Sequence, residues 1–130
     1  MIKGWISLRV EEPKKVAAWY IDKLGFEAQG ERPGIGLAVG TKDAGRAMVL
    51  LNGEGLEHPE RVQLHFEVKD VDAEHQRPRE AGVEFSEPPK DMPWRWRHAY
   101  TSDPAGHTVE ICSPLPDAHD KDAEFVRSPR

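Results

Sequence analysis

The chain has 130 residues, of which 38% are hydrophobic, and a formal net charge of -5. This length suits one domain, or two small modules that share a core. The acidic balance argues against general binding to nucleic acids or anionic membranes. No apolar run is long enough to span a membrane, and the first residues lack the apolar stretch of a signal peptide. A single cysteine excludes an intrachain disulfide, and a cytoplasmic protein is therefore expected.

The first half of the chain is predicted to form a strand, a helix and three more strands. Apolar residues alternate from Ile2 to Val10, which is typical of a strand with one buried face. A helix is predicted from Pro13 to Gly25, because proline suits the first helical turn and glycine suits the left-handed stop. The three strands predicted after the helix are Phe26–Glu31, Ile35–Val39 and Arg46–Leu51.

The second half repeats this order. A strand that begins at Val62 leads to a helix capped by Asp70 and ended by Gly82, and a further strand is predicted at Val83–Phe85. Asp103-Pro104-Ala105-Gly106 has the composition of a tight turn, and the aromatic and β-branched runs on either side of it predict a closing hairpin. Three landmarks recur at offsets of 57, 58 and 61 residues, which predicts a duplicated β-α-β-β-β module.

Polar side chains recur on one face of the predicted strands. Glu110 lies between apolar Val109 and Ile111, so alternation places its carboxylate on the opposite sheet face. The first strand of each module has the same pattern, with one apolar face and one polar face. That polar face is either solvated surface or the lining of a cavity. Its members in the two leading strands are Trp5, Ser7 and Arg9, and Gln63, His65 and Glu67.

Five segments in this order, Ala17–Tyr20, Leu24–Phe26, Val68–Ala73, Pro93-Trp94 and Asp103–His107, resemble the vicinal oxygen chelate superfamily. This superfamily includes glyoxalases, bleomycin-resistance proteins and extradiol dioxygenases. The resemblance implies an α+β fold in which two β-α-β-β-β modules form a curled mixed sheet with both helices on its outer face. It also implies that the helix-free face is a cup that binds the ligand. The expected organisation is one domain at 1–114, with modules at 1–52 and 61–114, followed by a polar tail at 115–130.

The resemblance also indicates where a metal would be held. Metal-dependent members place a His or Gln near the start of each leading strand and a Glu on a last strand, and the matching positions here are Trp5, Gln63 and Glu110. An indole does not ligate a divalent ion, and catalytic zinc sites commonly use three protein ligands. We therefore expect no metal cofactor. The alternative is a divalent metal held by Gln63, His65 and Glu110, with Glu110 as ligand or base.

Two functions of different classes follow. The favoured prediction is metal-free binding of a small aromatic or amphiphilic compound, as in bleomycin-resistance-like proteins, by a homodimer. Glu110 is expected to favour a cationic or hydrogen-bond-donating group on that compound. The alternative is a metal-dependent glyoxalase-like lyase or isomerase, or a dioxygenase, and the sequence leaves open whether any reaction is catalysed. The residues predicted to bind the ligand are Trp5, Ser7, Gln63, His65, Trp94, Trp96, Tyr100 and Glu110.

Overall fold

The computed structural model describes residues 1–116, so most of the predicted tail at 115–130 lies outside the described residues. The chain divides into two compact units. The first unit contains Met1–Val62 together with Ser102–Thr108, and the second contains Gln63–Thr101 together with the chain from Val109 onwards. Each unit is built on an open four-stranded sheet, and the fold is α+β as predicted.

The first unit contains four strands and a helix. They are β1 (Ile6–Val10), α1 (Pro13–Leu24), β2 (Glu27–Arg32), β3 (Gly36–Thr41) and β4 (Gly45–Asn52). The sheet order is β1-β4-β3-β2. β1 is parallel to β4, while the β2–β3 and β3–β4 pairs are antiparallel. A short 3-10 helix at Pro59–Arg61 precedes the second unit.

Helix α1 begins and ends where the sequence predicts. Pro13 occupies the first turn, where its missing N–H is not needed. Gly25 ends the helix in the left-handed conformation with φ 76°, which glycine adopts without a steric penalty. The helix buries Val16, Ala17 and Tyr20. The unit's other fully buried apolar side chains include Val10, Val39, Met48 and Leu50.

The second sheet repeats the first. Its elements are β5 (Gln63–Glu67), α2 (Val71–Glu80), β6 (Lys90–Asp91), β7 (Trp96–Ser102) and β8 (Thr108–Pro114). The strand order β5-β8-β7-β6 is the order of the first sheet with every strand number raised by four. Asp70 caps α2, because its carboxylate accepts a hydrogen bond from the Ala73 backbone N–H at 3.2 Å. The duplicated β-α-β-β-β module is therefore present in both sheets.

The two faces of the second sheet differ as the alternation predicts. Ala99 of β7 and Ile111 of β8 form a buried cluster with Val71 of α2, which defines the helix-covered face. Side chains at the intervening positions of the same strands, such as His98 and Glu110, lie on the helix-free face. The sheet therefore carries its apolar residues towards α2 and a polar set on the other side.

Three local predictions differ from the structure. Val83–Phe85 is not a strand, because the Val83 N–H donates to the Pro78 carbonyl oxygen at 2.9 Å and the Glu84 carbonyl oxygen accepts from the Thr101 hydroxyl at 2.6 Å. Neither group is therefore available to a regular ladder, and β6 consists of Lys90 and Asp91. β1 begins at Ile6, so Trp5 precedes it. Trp94 lies in the turn before β7. Within residues 1–116, no helix has the length and apolar character needed to cross a membrane.

Candidate functional site

A carboxylate between two imidazoles is the centre of the candidate site, which lies on the helix-free face of the second sheet. Glu110 extends from β8, and its Oε1 is 2.8 Å from Nδ1 of His65 on β5. Its Oε2 is 3.1 Å from Nδ1 of His98 on β7. Because β8 lies between β5 and β7, its mid-strand carboxylate reaches a neighbour on each side. We call His65, Glu110 and His98 the carboxylate–imidazole cluster.

Two further side chains surround Glu110. The Tyr100 hydroxyl hydrogen-bonds to the carboxylate, and the Cys112 thiol lies beside it while donating to the Phe66 carbonyl oxygen at 3.7 Å. Burial by itself raises the pKa of Glu110, but the hydrogen bonds from His65 and Tyr100 outweigh it and hold that pKa below its ordinary value. Glu110 is therefore an anion at neutral pH, with most of its acceptor positions already occupied.

The same arrangement keeps the neighbouring acids protonated. Burial, followed by the hydrogen bond to Glu110, raises the pKa of Tyr100 to about 12. Burial and the Glu110 charge likewise raise the pKa of Cys112 to about 12. The thiol is therefore not a nucleophile at neutral pH, because the thiolate is the reactive form.

A row of aromatic rings lies beside the cluster. The Trp94 ring is 6.3 Å from the His98 ring, and the His98 ring is 4.6 Å from the Tyr100 ring, both in edge-to-face geometry. Trp94 is 54% exposed, whereas His98 is buried. An exposed indole next to the carboxylate–imidazole cluster offers an aromatic ligand both stacking area and hydrogen-bonding groups.

The structure distributes the predicted site residues over both units. In the second unit, His65, Tyr100 and Glu110 are in mutual contact through Glu110, and Trp94 joins them through His98. Gln63 is exposed on β5, and Trp96 is half-buried at the start of β7. Trp5 and Ser7 belong to the first unit, where the Arg46 guanidinium lies 4.7 Å from the Trp5 ring centroid.

His98 is the site residue that the sequence prediction omitted. It shares strand parity with Trp96 and Tyr100, which was the signal available in the sequence. Its contact with Glu110 depends on how β7 and β8 are aligned, which a strand pattern alone does not specify. The neighbouring residue Arg97 points to the opposite, helix-covered face of the sheet. Its guanidinium donates to Asp72 of α2 at 2.8 Å and to Asp91 at 2.8 Å.

The donor set does not fit the metal centre of the family's metal-dependent members. In residues 1–116, no three or more His, Cys, Asp and Glu side chains are grouped so that they can hold a metal ion. Both Glu110 oxygens are engaged by imidazole nitrogens, and the indole of Trp5 offers no ligating atom. The arrangement is instead that of a hydrogen-bonding site.

The first unit contains a second polar cluster, with a structural role. The Tyr20 hydroxyl donates to Asp103 Oδ2 at 2.6 Å, and His107 Nδ1 lies 2.7 Å from the same oxygen. Asp103 Oδ1 also accepts from the backbone N–H groups of Ala105 and His107. Asp103 thus bonds the turn backbone and also connects the turn to α1. All three side chains of this cluster are buried.

A depression of about 570 Å³ lies next to this turn in the first unit. Its lining includes six charged residues and is poor in aromatic rings, so it suits a planar aromatic compound less well than the row beside Glu110. The charged residues are Arg9, Glu11, Glu12, Lys15, Glu54 and Glu57.

Comparison with known proteins decides the family. Residues 3–111 match the model of the Glyoxalase/Bleomycin resistance protein/Dioxygenase superfamily. The chain belongs to this superfamily. The match extends from before β1 into β8 and ends one residue after Glu110, so it includes every member of the carboxylate–imidazole cluster. None of the curated proteins matches the chain.

Solved structures of other superfamily members share this fold. TnmS3, an antibiotic binding protein from Streptomyces sp. CB03234, is 28% identical with a TM-score of 0.70, and the alignment covers 88% of this chain and 97% of TnmS3. A lactoylglutathione lyase from Agrobacterium tumefaciens is 18% identical with a TM-score of 0.69, covering 85% of this chain and 92% of the lyase. The superfamily fold thus occurs in both a binding protein and an enzyme.

Proposed function

We propose that this superfamily member binds a small aromatic compound without a metal ion, at the helix-free face of its second sheet. The observation that carries the proposal is the exposed Trp94 ring, which continues through His98 to the buried carboxylate of Glu110. Stacking on an aromatic side chain contributes about 1–3 kcal/mol per ring, and the buried polar groups fix orientation.

The family comparison supports a binding function. The relative described as an antibiotic binding protein is 28% identical over nearly its whole length. The lyase is 18% identical, and at that level the likeness concerns the fold alone. Superfamily membership therefore leaves the choice between binding and catalysis to the side chains at the site.

Those side chains favour binding over metal-dependent catalysis. A metal at Glu110 would have to displace the Nδ1 contacts of 2.8 Å and 3.1 Å that now hold the carboxylate. It would also have to recruit further ligands, because the described residues supply no cluster of three. Binding of a metal-free ligand by hydrogen bonds requires neither the loss of these contacts nor additional metal ligands.

The test is calorimetric titration of EDTA-treated protein with 2-methoxynaphthalene, a planar and uncharged probe. We expect saturable binding that is the same with and without EDTA. Trp94→Ala should weaken binding about tenfold, which corresponds to about 1.4 kcal/mol of lost ring contact. Ile35→Ala is the matched control, because Ile35 is an equally exposed apolar side chain of the first unit.

Two results would contradict the proposal. One is binding that appears only when a divalent metal is added, which would favour the enzyme alternative. The other is an equal effect of Trp94→Ala and Ile35→Ala, which would place the site away from the aromatic row. The predicted contribution of Trp5 and Ser7 stays a prediction, and Trp5→Ala in the same titration measures it.

A further inference from the structure

The carboxylate–imidazole cluster fixes where the protons of its two histidines lie. Glu110 is acceptor-only when ionised, so each short Nδ1 contact is a hydrogen bond only if Nδ1 carries the proton. A neutral imidazole carries one proton, and Nε2 of His65 and of His98 is then an acceptor. The anion thus sets the hydrogen-bonding character of both rings.

Exposure decides which of these acceptors a ligand can reach. The side chain of Glu110 is 10% exposed and that of His98 is 5% exposed, whereas that of His65 is 53% exposed. The Nδ1 side of the His65 ring faces Glu110, so the accessible part of the ring includes Nε2. A ligand therefore meets the Nε2 acceptor of His65 before it meets the carboxylate.

The hydrogen bonds around Glu110 also limit direct contact between a ligand and the carboxylate. The Glu110 carboxylate already accepts hydrogen bonds from His65, His98 and Tyr100. A cationic group would have to break one of these bonds to reach the carboxylate, and it would leave a buried donor unpaired. A hydrogen-bond donor on the ligand reaches His65 without breaking any of them.

We propose that His65, oriented by Glu110, selects aromatic compounds that carry an O–H or N–H donor. The proposal rests on the proposed function and names the ligand class of that same site. The sequence predicted that the ligand carries a cationic or hydrogen-bond-donating group. The proposal specifies a donor that hydrogen-bonds to Nε2 of His65. Glu110 acts here as a positioning residue, because it works through the imidazole.

The first experiment compares three matched probes by calorimetry at neutral pH, where a phenol is uncharged. They are 2-naphthol, its methyl ether 2-methoxynaphthalene, and the cationic 2-naphthylmethylammonium. We expect 2-naphthol to bind about tenfold more tightly than the ether, as one hydrogen bond to a well-placed acceptor supplies. The cation also carries N–H donors and is attracted by the Glu110 charge, so it should likewise bind more tightly than the ether.

Substitution of His65 tests the assignment. His65→Phe keeps a ring but removes Nε2, so the ratio of the 2-naphthol affinity to the ether affinity should fall from about ten to about one. His58→Phe is the matched control, because His58 is a half-exposed histidine of the first unit that also pairs with glutamates. A preference for 2-naphthol over its ether that survives His65→Phe would overturn the proposal.

A spectroscopic readout tests the role of Glu110 without any ligand. Long-range 1H–15N NMR should show His65 and His98 with the proton on Nδ1 in the wild type. Glu110→Gln replaces one acceptor oxygen by an NH2 donor, so at least one of the two rings should shift towards the Nε2–H form and the 2-naphthol preference should fall. Nε2–H tautomers in the wild type would overturn the proposal.

The outcomes separate the two proposals. If 2-naphthol and its ether bind equally and Trp94→Ala weakens the binding of both, selection of a donor by His65 is contradicted. The proposed binding of an aromatic compound is then still supported. If neither compound binds, both proposals are contradicted.

Discussion

The buried bond between Tyr20 and Asp103 gives a stability prediction that depends on one atom. Tyr20→Phe removes the hydroxyl that donates to Asp103 Oδ2 at 2.6 Å, while the ring contacts with Trp19 and Phe26 remain. Both side chains are buried, so water does not replace the lost donor. Asp103 keeps His107 and two backbone N–H groups as partners, which prevents the larger loss expected for an unpaired buried charge.

The expected cost is that of one hydrogen bond to a charged group, about 2 kcal/mol of the free energy of unfolding. With a typical urea dependence for a domain of this size, the unfolding midpoint should fall by about 1 M. Equilibrium urea unfolding followed by circular dichroism measures this shift. Ser86→Ala is the control, because its hydroxyl makes an exposed bond of 3.4 Å, and the expected change is below about 0.5 kcal/mol.

Equal effects of Tyr20→Phe and Ser86→Ala would refute the reasoning, since they would show that the Tyr20–Asp103 bond does not hold the turn on α1. Burial, followed by the charge and hydrogen bond of Asp103, raises the pKa of Tyr20 above its ordinary value. Tyr20 therefore stays protonated, and the bond is present throughout the usual pH range.

Three further predictions concern the second unit and the assembly. The pKa of Glu110 is lower in the folded protein, so its contribution to stability is complete above its unfolded pKa and is lost as pH falls through its folded pKa. The stability gap between wild type and Glu110→Gln should therefore narrow in acid, and a gap independent of pH would contradict this. Because Cys112 is buried with a pKa of about 12, a thiol reagent should react much more slowly with native than with urea-unfolded protein, and equal rates would count against the site geometry. Because both four-stranded sheets are open and have edge strands, we propose a homodimer, which light scattering at micromolar concentration tests, and a monomeric mass would oppose it.

Much of the fold could be predicted because the relevant signals are local. Pro13 and Gly25 determine the ends of α1 through their backbone preferences, and strict alternation around Leu64 and Ile111 assigns each sheet face. The failed strand at Val83–Phe85 shows the limit of such patterns. Its composition suits a strand, but its backbone groups bond to the Pro78 carbonyl oxygen and the Thr101 hydroxyl instead of to a neighbouring strand.

The site could be predicted less completely because it depends on contacts between strands. Alternation places Glu110 and His65 on the same face, which the sequence shows directly. The pairing of Glu110 with His98 requires the alignment of β7 with β8, and this pairing turns the carboxylate from an open ligand contact into the centre of a network. We therefore expect the ligand to hydrogen-bond to His65, and not directly to Glu110.

Native mass spectrometry of gently purified protein tests the central claim most directly, because it reports bound metal and bound small molecules together. The account predicts no stoichiometric metal, and a mass increase for each chain when 2-naphthol is added, which His65→Phe reduces. One equivalent of a divalent metal per chain, lost in Glu110→Gln, would contradict it.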